Sequence, residues 1–249
     1  MATARAIGRS LRIYYPPGRA SVLDGFYRRF LAPGELAFDI GAHVGDRTAS
    51  FRRLGARVVA AEPQPRLHRL LRLLFGRDPG VALVAAMVGA APGRAVLHLN
   101  TANPTVATAS PSFIAAARDA PGWEGQRWDA AAEVAVTTLD ALAAAHGLPQ
   151  FIKLDVEGFE AEALAGLSAP PRALSFEFTT LQRNVAIACL DRAAELGLGW
   201  FNACLGEGMR FAHPRPLGRA AMADWLLGLP AEANSGDVYA SVEADRLGC

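Results

Sequence analysis

The sequence predicts an α/β fold built on a mostly parallel β-sheet. From Glu35 onward, short apolar runs alternate with longer amphipathic runs, which is the pattern of successive βαβ units. A glycine-containing loop joins the first apolar run to the first amphipathic run, near residues 41–45. The chain has 249 residues, of which 51% are hydrophobic and 20% charged, so it can form one large core. We therefore expect a single domain over residues 1–249.

The first part of the chain predicts a helical segment followed by strand–helix units. Residues 1–33 are expected to form a helical cap or lid over a core made by residues 34–249. In the run 65–75, leucines recur at helical spacing and arginines line the other positions. The strands predicted here are 36–40, 57–63 and 81–86, and the helices are 46–54 and 65–75.

The remainder interrupts this alternation and then resumes it. Residues 101–113 are rich in Thr, Ser, Pro and Ala and predict a loop, and 206–216 predicts a hairpin. Residues 114–133 are ambiguous, with a short helix at most. The other predicted strands are 94–100, 134–138, 151–155, 173–178, 200–205 and 237–242, and the other helices are 139–147, 160–167, 181–196 and 219–229.

Charge and composition count against several classes of protein. Lys and Arg number 25 against 24 Asp and Glu, so the chain lacks the basic excess of a nucleic-acid-binding protein. The longest nearly uncharged stretch, residues 81–92, is shorter than the roughly 20 residues of a membrane span. Cys189, Cys204 and Cys249 are few and widely spaced, which is typical of reduced thiols in a cytoplasmic protein.

The loop "DIGAHVG", residues 39–45, places a carboxylate and two glycines between a strand and a helix. Gly41 lets the backbone approach a ligand, and the helix N-terminus offers unpaired N–H groups. The spacing is not the G-x-G-x-x-G of a dinucleotide site, and a carboxylate would repel pyrophosphate. Asp39 instead suits a ligand with an ammonium group, such as the methionine part of S-adenosylmethionine. Asp39, Gly41 and Gly45 are therefore predicted cofactor-binding residues.

A second acid, Glu62, stands at the end of the second predicted strand. Its two carboxylate oxygens can accept hydrogen bonds from both ribose hydroxyls of a nucleoside. Pro63 fixes the chain as it leaves the strand. Met87, just past the third strand, is predicted to border the adenine. Glu62, Pro63 and Met87 complete the predicted nucleoside site.

Six motifs occur in order along the chain: "FDIGAHVG", "VVAAEPQP", "AAMVGAAPGRAVLHLN", "VTTLDAL", "FIKLDVEGFE" and "ALSFEF". In this order they resemble the FkbM-type family of S-adenosylmethionine-dependent methyltransferases, over roughly residues 36–180. The resemblance implies a class I methyltransferase fold, a Rossmann-like, doubly wound seven-stranded sheet whose last strand is antiparallel. It also implies mostly O-methylation of small molecules, sugars or lipid-linked glycans. Family members usually carry Asn at the position of His43, so the contact made here is expected to differ.

The stretch "FIKLDVEGFE", residues 151–160, is the predicted reacting centre. Ligands of open α/β sheets bind beyond the carboxyl ends of the strands, so Asp39 and Asp155 should flank one crevice. Asp155 is expected to contact the cofactor or the acceptor hydroxyl. Asp155, Glu157 and His43 are the predicted catalytic residues, since each could act as a base. The competing interpretation makes Asp155 and Glu157 the cap and first-turn charge of the next helix.

A metal is a further alternative at the same place. Asp155, Glu157 and Glu177 could together hold a divalent cation, but their spacing does not require one. No metal ligand is therefore predicted, and a divalent cation is only a candidate second cofactor.

The predicted activity is methyl transfer to a hydroxyl of a small molecule, sugar, glycan or natural-product intermediate, with that acceptor as the expected partner. The N-terminal segment and residues 101–133 should shape the acceptor pocket, with Tyr14, Tyr15 and Arg19 as lid residues. Three alternatives stay open: an NAD-dependent oxidoreductase, a non-catalytic nucleoside-binding module, and a methyltransferase acting on protein or nucleic acid. The sequence predicts no oligomeric state.

Overall fold

The computed structural model describes residues 2–248 and contains two β-sheets. The strands are β1 Leu36–Ile40, β2 Arg57–Ala61, β3 Val81–Val84, β4 Ala86–Val88, β5 Gly93–Leu99, β6 Ala130–Thr137, β7 Phe151–Leu154, β8 Ala173–Thr179, β9 Trp200–Leu205 and β10 Ser235–Ser241. The helices are α1 Ala2–Tyr14, α2 Arg19–Tyr27, α3 Asp46–Arg53, α4 Pro65–Phe75, α5 Pro111–Ala117, α6 Leu139–His146, α7 Glu160–Ala165, α8 Arg183–Glu195 and α9 Arg219–Gly228.

The larger sheet has seven strands in the order β3-β2-β1-β7-β8-β10-β9. Strand β10, the last in the chain, is antiparallel to both of its neighbours, whereas β3, β2, β1, β7 and β8 pair in parallel. The strand order reverses between β1 and β7, so the carboxyl ends of these two strands border the crevice at the topological switch point. This arrangement confirms the predicted doubly wound sheet with an antiparallel last strand.

Alternating side chains place an apolar layer on each face of this sheet. Phe38, Ile152 and Leu174 belong to the layer covered by α7, α8 and α9. Ala37 and Phe151 belong to the opposite layer, which also contains residues of α2 and α3. Asp39 and Lys153 are partners in the β1–β7 register and so share a face.

The predicted N-terminal helical segment is present as α1 and α2, and α2 is part of the core. Tyr27 and Phe30 are fully buried. The Phe30 ring stacks on Phe151, with ring centroids 4.8 Å apart, and on Tyr239 at 5.5 Å. Buried aromatic pairs of this kind contribute stability beyond their buried area. Phe30 lies three residues beyond α2, and Tyr27, the last residue of α2, also contacts Phe151 at 5.8 Å, so the end of α2 is held to the sheet and α1 is the more peripheral part of the cap.

Three regions differ from their predicted structure. The apolar run 81–86 is divided between β3 and β4, and β4 joins β5 and β6 in a separate sheet of order β4-β6-β5. The predicted loop 101–113 ends in helix α5, which Ser110 caps by accepting a hydrogen bond from the Phe113 N–H at 3.2 Å. The predicted hairpin 206–216 forms no strand in the structure, and in its second half Pro214 and Pro216 lack the N–H that a ladder requires.

Within residues 2–248 no helix is both long and apolar enough to cross a membrane. Cys189 and Cys204 are fully buried, and Cys249 lies outside the described residues.

Candidate active site

The loop after β1 is held tightly against two neighbouring strands. Gly41 has a φ of +82°, and a Cβ on it would lie 1.8 Å from the carbonyl oxygen of Asp155. The N–H groups of Gly41 and Ala42 donate to the Ala61 carbonyl at 2.9 and 3.0 Å. Gly41 is therefore required for packing between the ends of β1 and β7, in addition to its predicted contact with a ligand.

Gly45 lies behind this loop. It precedes α3 with a φ of +80°, and a Cβ on it would lie 2.5 Å from the Phe75 ring and 2.8 Å from Leu71 of α4. Gly45 contacts α4 and does not line the cavity that the other predicted site residues form. The predicted contact of Gly45 with a cofactor stays a prediction.

Asp39 is the buried acid at the end of β1. It is 1% exposed, and its Oδ2 accepts a hydrogen bond of 2.5 Å from the Thr48 hydroxyl. Burial raises the pKa of Asp39 to about 6, against the opposing effects of the Thr48 hydrogen bond and the Lys153 charge. A cationic ligand group beside Asp39 would favour its charged form.

Glu62 ends β2 with both carboxylate oxygens fixed by backbone groups. Oε2 accepts from the His43 N–H at 2.9 Å and Oε1 from the Gln64 N–H at 2.8 Å. Burial raises the pKa of Glu62 to about 8, although these two hydrogen bonds act to lower it. Each oxygen has a second lone pair, so the oriented carboxylate can still accept two ligand hydroxyls.

The end of β7 carries an ion pair. The ammonium group of Lys153 donates to Asp155 Oδ2 at 2.6 Å and lies 3.9 Å from Asp237 Oδ1 on β10. Asp237 is in turn opposite Glu177 in the register of β10 with β8. Asp155 and Asp237 therefore flank one buried lysine, and Glu177 lies beside Asp237 in the sheet.

Glu157 occupies a strained turn just beyond β7. Its φ of +55° is uncommon for any residue except glycine. The Thr108 hydroxyl donates to its carbonyl oxygen at 2.6 Å, and the next residue, Gly158, has no room for a Cβ beside Gln182 and Phe113. Burial, followed by the charge of Asp155, raises the pKa of Glu157 well above its ordinary value. The surroundings thus hold a strained residue with its carboxylate buried.

His43 is the third predicted catalytic residue, and it also has a positive φ, of +49°. The Tyr14 ring meets its imidazole edge-on, with ring centroids 5.3 Å apart. Its Nε2 is buried and has no hydrogen-bond partner among the described residues. Burial lowers the pKa of His43, and the nearby Asp155 and Asp46 carboxylates oppose this shift. The imidazole is therefore neutral near pH 7.

These groups meet on one cavity of about 820 Å³, a volume that includes its open mouth. Of the predicted site residues, all except Gly45 line it: Asp39, Gly41, His43, Glu62, Pro63, Met87, Asp155 and Glu157. Tyr14, proposed from sequence as a lid residue, also contributes to the wall.

Sequence reasoning missed Arg47 and Glu207, which also line the cavity. The Arg47 Nη2 lies 2.6 Å from Glu207 Oε2, and Arg19 of the N-terminal cap contacts the same oxygen at 2.6 Å. Burial alone would raise the pKa of Glu207, but the Arg47 and Arg19 guanidinium groups lower it to about 2. An arginine in the first turn of a helix gives no sequence signal of burial, so only the fold shows this network.

The strand order with an antiparallel last strand, together with acids at the ends of β1 and β2 on one cavity, defines a class I methyltransferase. The chain belongs to the FkbM methyltransferase family, because the model of the methyltransferase FkbM domain matches residues 39–187, more than half of its 249 residues. The match confirms the family expected from the sequence motifs, and this family uses S-adenosylmethionine as its methyl donor.

Solved structures similar to this chain include a TehB-like S-adenosylmethionine-dependent methyltransferase from Corynebacterium glutamicum, with 12% identity, a TM-score of 0.47 and coverage of 95% of this chain and 94% of that one. Another is an O-methyltransferase from Bacillus cereus in complex with S-adenosylhomocysteine, with 11% identity, a TM-score of 0.45 and coverage of 96% and 91%. A comparison with curated proteins found no match. The fold class rests on the strand order and the family, and not on these distant similarities.

Proposed function

We propose that the protein uses S-adenosylmethionine to methylate a hydroxyl group of a small molecule, sugar, glycan or natural-product intermediate. The observation that carries this proposal is the convergence of two groups of residues on one cavity. Asp39 and Glu62 form the cofactor side, and Asp155, Glu157 and His43 form the acceptor side.

The cofactor side fits the chemistry of S-adenosylmethionine. Asp39 would hold the amino group of the methionine part, and the Glu62 carboxylate would accept hydrogen bonds from the ribose hydroxyls. Pro63 and Met87 line the same cavity and would border the adenosine. A pyrophosphate, which an NAD-dependent enzyme must bind, would meet the buried Asp39 carboxylate.

The acceptor side fits a hydroxyl nucleophile. The cofactor supplies a methyl group activated by its sulfonium sulfur, and transfer of that methyl to a hydroxyl oxygen releases one proton. Asp155, fixed by Lys153, would orient the hydroxyl, and Glu157 would take the proton. The neutral imidazole of His43 is a second proton acceptor on the same wall.

The wall of the cavity also indicates the charge of the acceptor. Six of its residues are acids (Asp39, Asp46, Glu62, Asp155, Glu157 and Glu207) and two are bases (Arg47 and Lys153). Thr105, Ala107 and Ala109 add an uncharged surface from the segment predicted to shape the acceptor pocket. An acceptor without phosphate or carboxylate groups fits this wall best.

We further propose that the N-terminal cap and the α/β core form one domain, because α2 and the sheet share an apolar layer.

The experiment is an assay of methyl transfer to a panel of sugars, glycosides and phenols, with the O-methyl product identified by nuclear magnetic resonance. Glu157→Gln should lower kcat by about a hundredfold or more, while the affinity for S-adenosylhomocysteine changes by less than about twofold. His43→Asn should have a smaller effect, since family members usually carry Asn there and Asn tolerates a positive φ. An unchanged kcat in Glu157→Gln, or a methylated nitrogen in the product, would contradict the proposal.

A further inference from the structure

Three carboxylates from the ends of β7 and β8 converge beside the acceptor side of the cavity. Asp155, Glu157 and Glu177 each have an oxygen within 4.8 Å of the oxygens of the other two. Carboxylate oxygens are the preferred ligands of hard divalent cations, with metal–oxygen distances of roughly 2.0–2.6 Å. Two ligands on opposite sides of such an ion are therefore about 4–5 Å apart, which is the spacing of this cluster.

The hydrogen bonding of these carboxylates is incomplete. Glu157 is 7% exposed and has a strained, positive φ, and no side chain or backbone group among residues 2–248 donates a hydrogen bond to its carboxylate. Glu177 Oε2 is also buried without a hydrogen-bond partner among residues 2–248. Buried polar atoms are almost always paired, so the unpaired Glu177 oxygen beside the carboxylates of Asp155 and Glu157 indicates a ligand.

The charges around the cluster are also unbalanced. Lys153 neutralises Asp155, and Asp237 lies 3.9 Å from the same ammonium group. One buried ammonium group does not offset four carboxylates, so a dication would lower the electrostatic energy of this end of the sheet.

We infer that Asp155, Glu157 and Glu177 bind a hard divalent cation of the Mg²⁺ or Mn²⁺ type, with Lys153 holding the second oxygen of Asp155. The binding site stands independently of the proposed function, but its effect on rate rests on that function. A cation at this place lowers the pKa of a hydroxyl bound to it. With the cation bound, Glu157 would be its ligand in place of the base proposed above, and the hydroxyl proton would pass to water, with His43 as a second acceptor.

The test is titration of the metal-free protein with Mn²⁺ followed by electron paramagnetic resonance, with Mg²⁺ as competitor. Wild-type protein should bind one Mn²⁺, and Glu177→Gln should weaken that affinity at least about tenfold, since it removes a direct ligand. Glu177 does not line the cofactor cavity, so its substitution should leave the affinity for S-adenosylhomocysteine within about twofold. The matched control is Glu162→Gln, an exposed acid of α7, which should bind Mn²⁺ as the wild type does.

Separate control measurements test whether the variants fold and whether the proposed function holds. Glu177→Gln removes a like charge and so should not lower the melting temperature of the metal-free protein, and Asp155→Asn provides a second ligand variant. Absence of Mn²⁺ binding at millimolar concentration, or wild-type affinity in both variants, would overturn the inference. Mn²⁺ binding without S-adenosylhomocysteine binding would instead remove the proposed function and leave the cation site standing.

Discussion

Burial of Glu62 makes the stability of the protein depend on pH. The folded state raises the pKa of Glu62 from 4.5 to about 8, so between these values the folded protein binds more protons than the unfolded chain. Its contribution to stability is present below pH 4.5 and is lost as the pH rises through 8. Glu62 therefore destabilises the folded protein most at the alkaline end of this range, where its buried carboxylate becomes charged.

The effect of Glu62→Gln on the free energy of unfolding should therefore change sign between about pH 5 and about pH 7.5. Near pH 5 the variant loses one hydrogen bond from the His43 or Gln64 N–H and should be less stable by about 1 kcal/mol. Towards pH 7.5 the wild-type protein must take up a proton at Glu62 in order to fold, which the variant need not do, so the difference should shift in favour of the variant by roughly 3 kcal/mol. Urea unfolding at both pH values measures this, with the exposed Glu162→Gln as control. A difference that is independent of pH would show that Glu62 is ionised throughout.

Gly41 is the residue at which backbone geometry is most restrictive. Gly41→Ala places a Cβ 1.8 Å from the Asp155 carbonyl at a φ of +82°, so we expect a loss of more than about 2 kcal/mol in the free energy of unfolding. Gly93→Ala, which meets no atom within 4 Å, should change it by less than about 0.5 kcal/mol. Chemical denaturation compares the two variants. Equal effects would mean that the backbone at the ends of β1 and β7 shifts to accommodate the added methyl group at little cost in free energy.

At this scale the sequence predicts residues whose role follows from their place at a strand end. Asp39, Glu62 and Asp155 each follow an apolar run, so a parallel sheet brings them to one edge. Arg47 and Glu207 have no such signal, because their burial arises from a contact between α3 and a loop 160 residues away in sequence. The strain at Glu157 is likewise invisible until the turn is built.

At the scale of elements, the cap is joined to the site through Arg19. This residue contacts Asp46 at 3.2 Å and Glu207 at 2.6 Å, and its guanidinium group lies 5.5 Å from the centre of the Tyr14 ring. The Tyr15 hydroxyl donates to the Val44 carbonyl at 3.1 Å. The end of α1 is therefore attached to the loop that would surround the cofactor.

Arg19→Ala should loosen α1 without unfolding the protein. The Glu207 side chain is 48% exposed, but Arg19 and Asp46 are only 14% and 10% exposed, so the lost ion pairs should together cost about 1–2 kcal/mol. We expect faster amide hydrogen exchange in α1 and faster dissociation of S-adenosylhomocysteine. Arg118→Ala, an exposed arginine of the segment after α5, is the control. Wild-type exchange and dissociation rates in Arg19→Ala would show that the cap does not cover the site.

The apolar periodicity of the sequence predicts most strands of the larger sheet and the helices beside it, but it does not predict the second, three-stranded sheet. The break between β3 and β4 lies within a continuous apolar run, and nothing in "VALVAA" separates a strand that pairs with β2 from one that pairs with β6. Packing between residues distant in sequence determines which strand each half of this run pairs with.

At the scale of the whole molecule, family and fold agree on the class of reaction, and the cavity indicates how the chain performs it. The acids of β1 and β2 and those of β7 and β8 reach a common edge because the sheet is parallel and its order reverses at β1 and β7. The central claim is that the Asp39–Glu62 side of this edge binds S-adenosylmethionine.

Calorimetric titration with S-adenosylhomocysteine and, separately, with NAD tests that claim most directly, on wild-type protein and on Glu62→Gln. We predict micromolar binding of S-adenosylhomocysteine, no binding of NAD, and at least about tenfold weaker binding in the variant, which loses an acceptor for the ribose hydroxyls. Binding of NAD in preference to S-adenosylhomocysteine, or an affinity unaffected by Glu62→Gln, would contradict this account of the site.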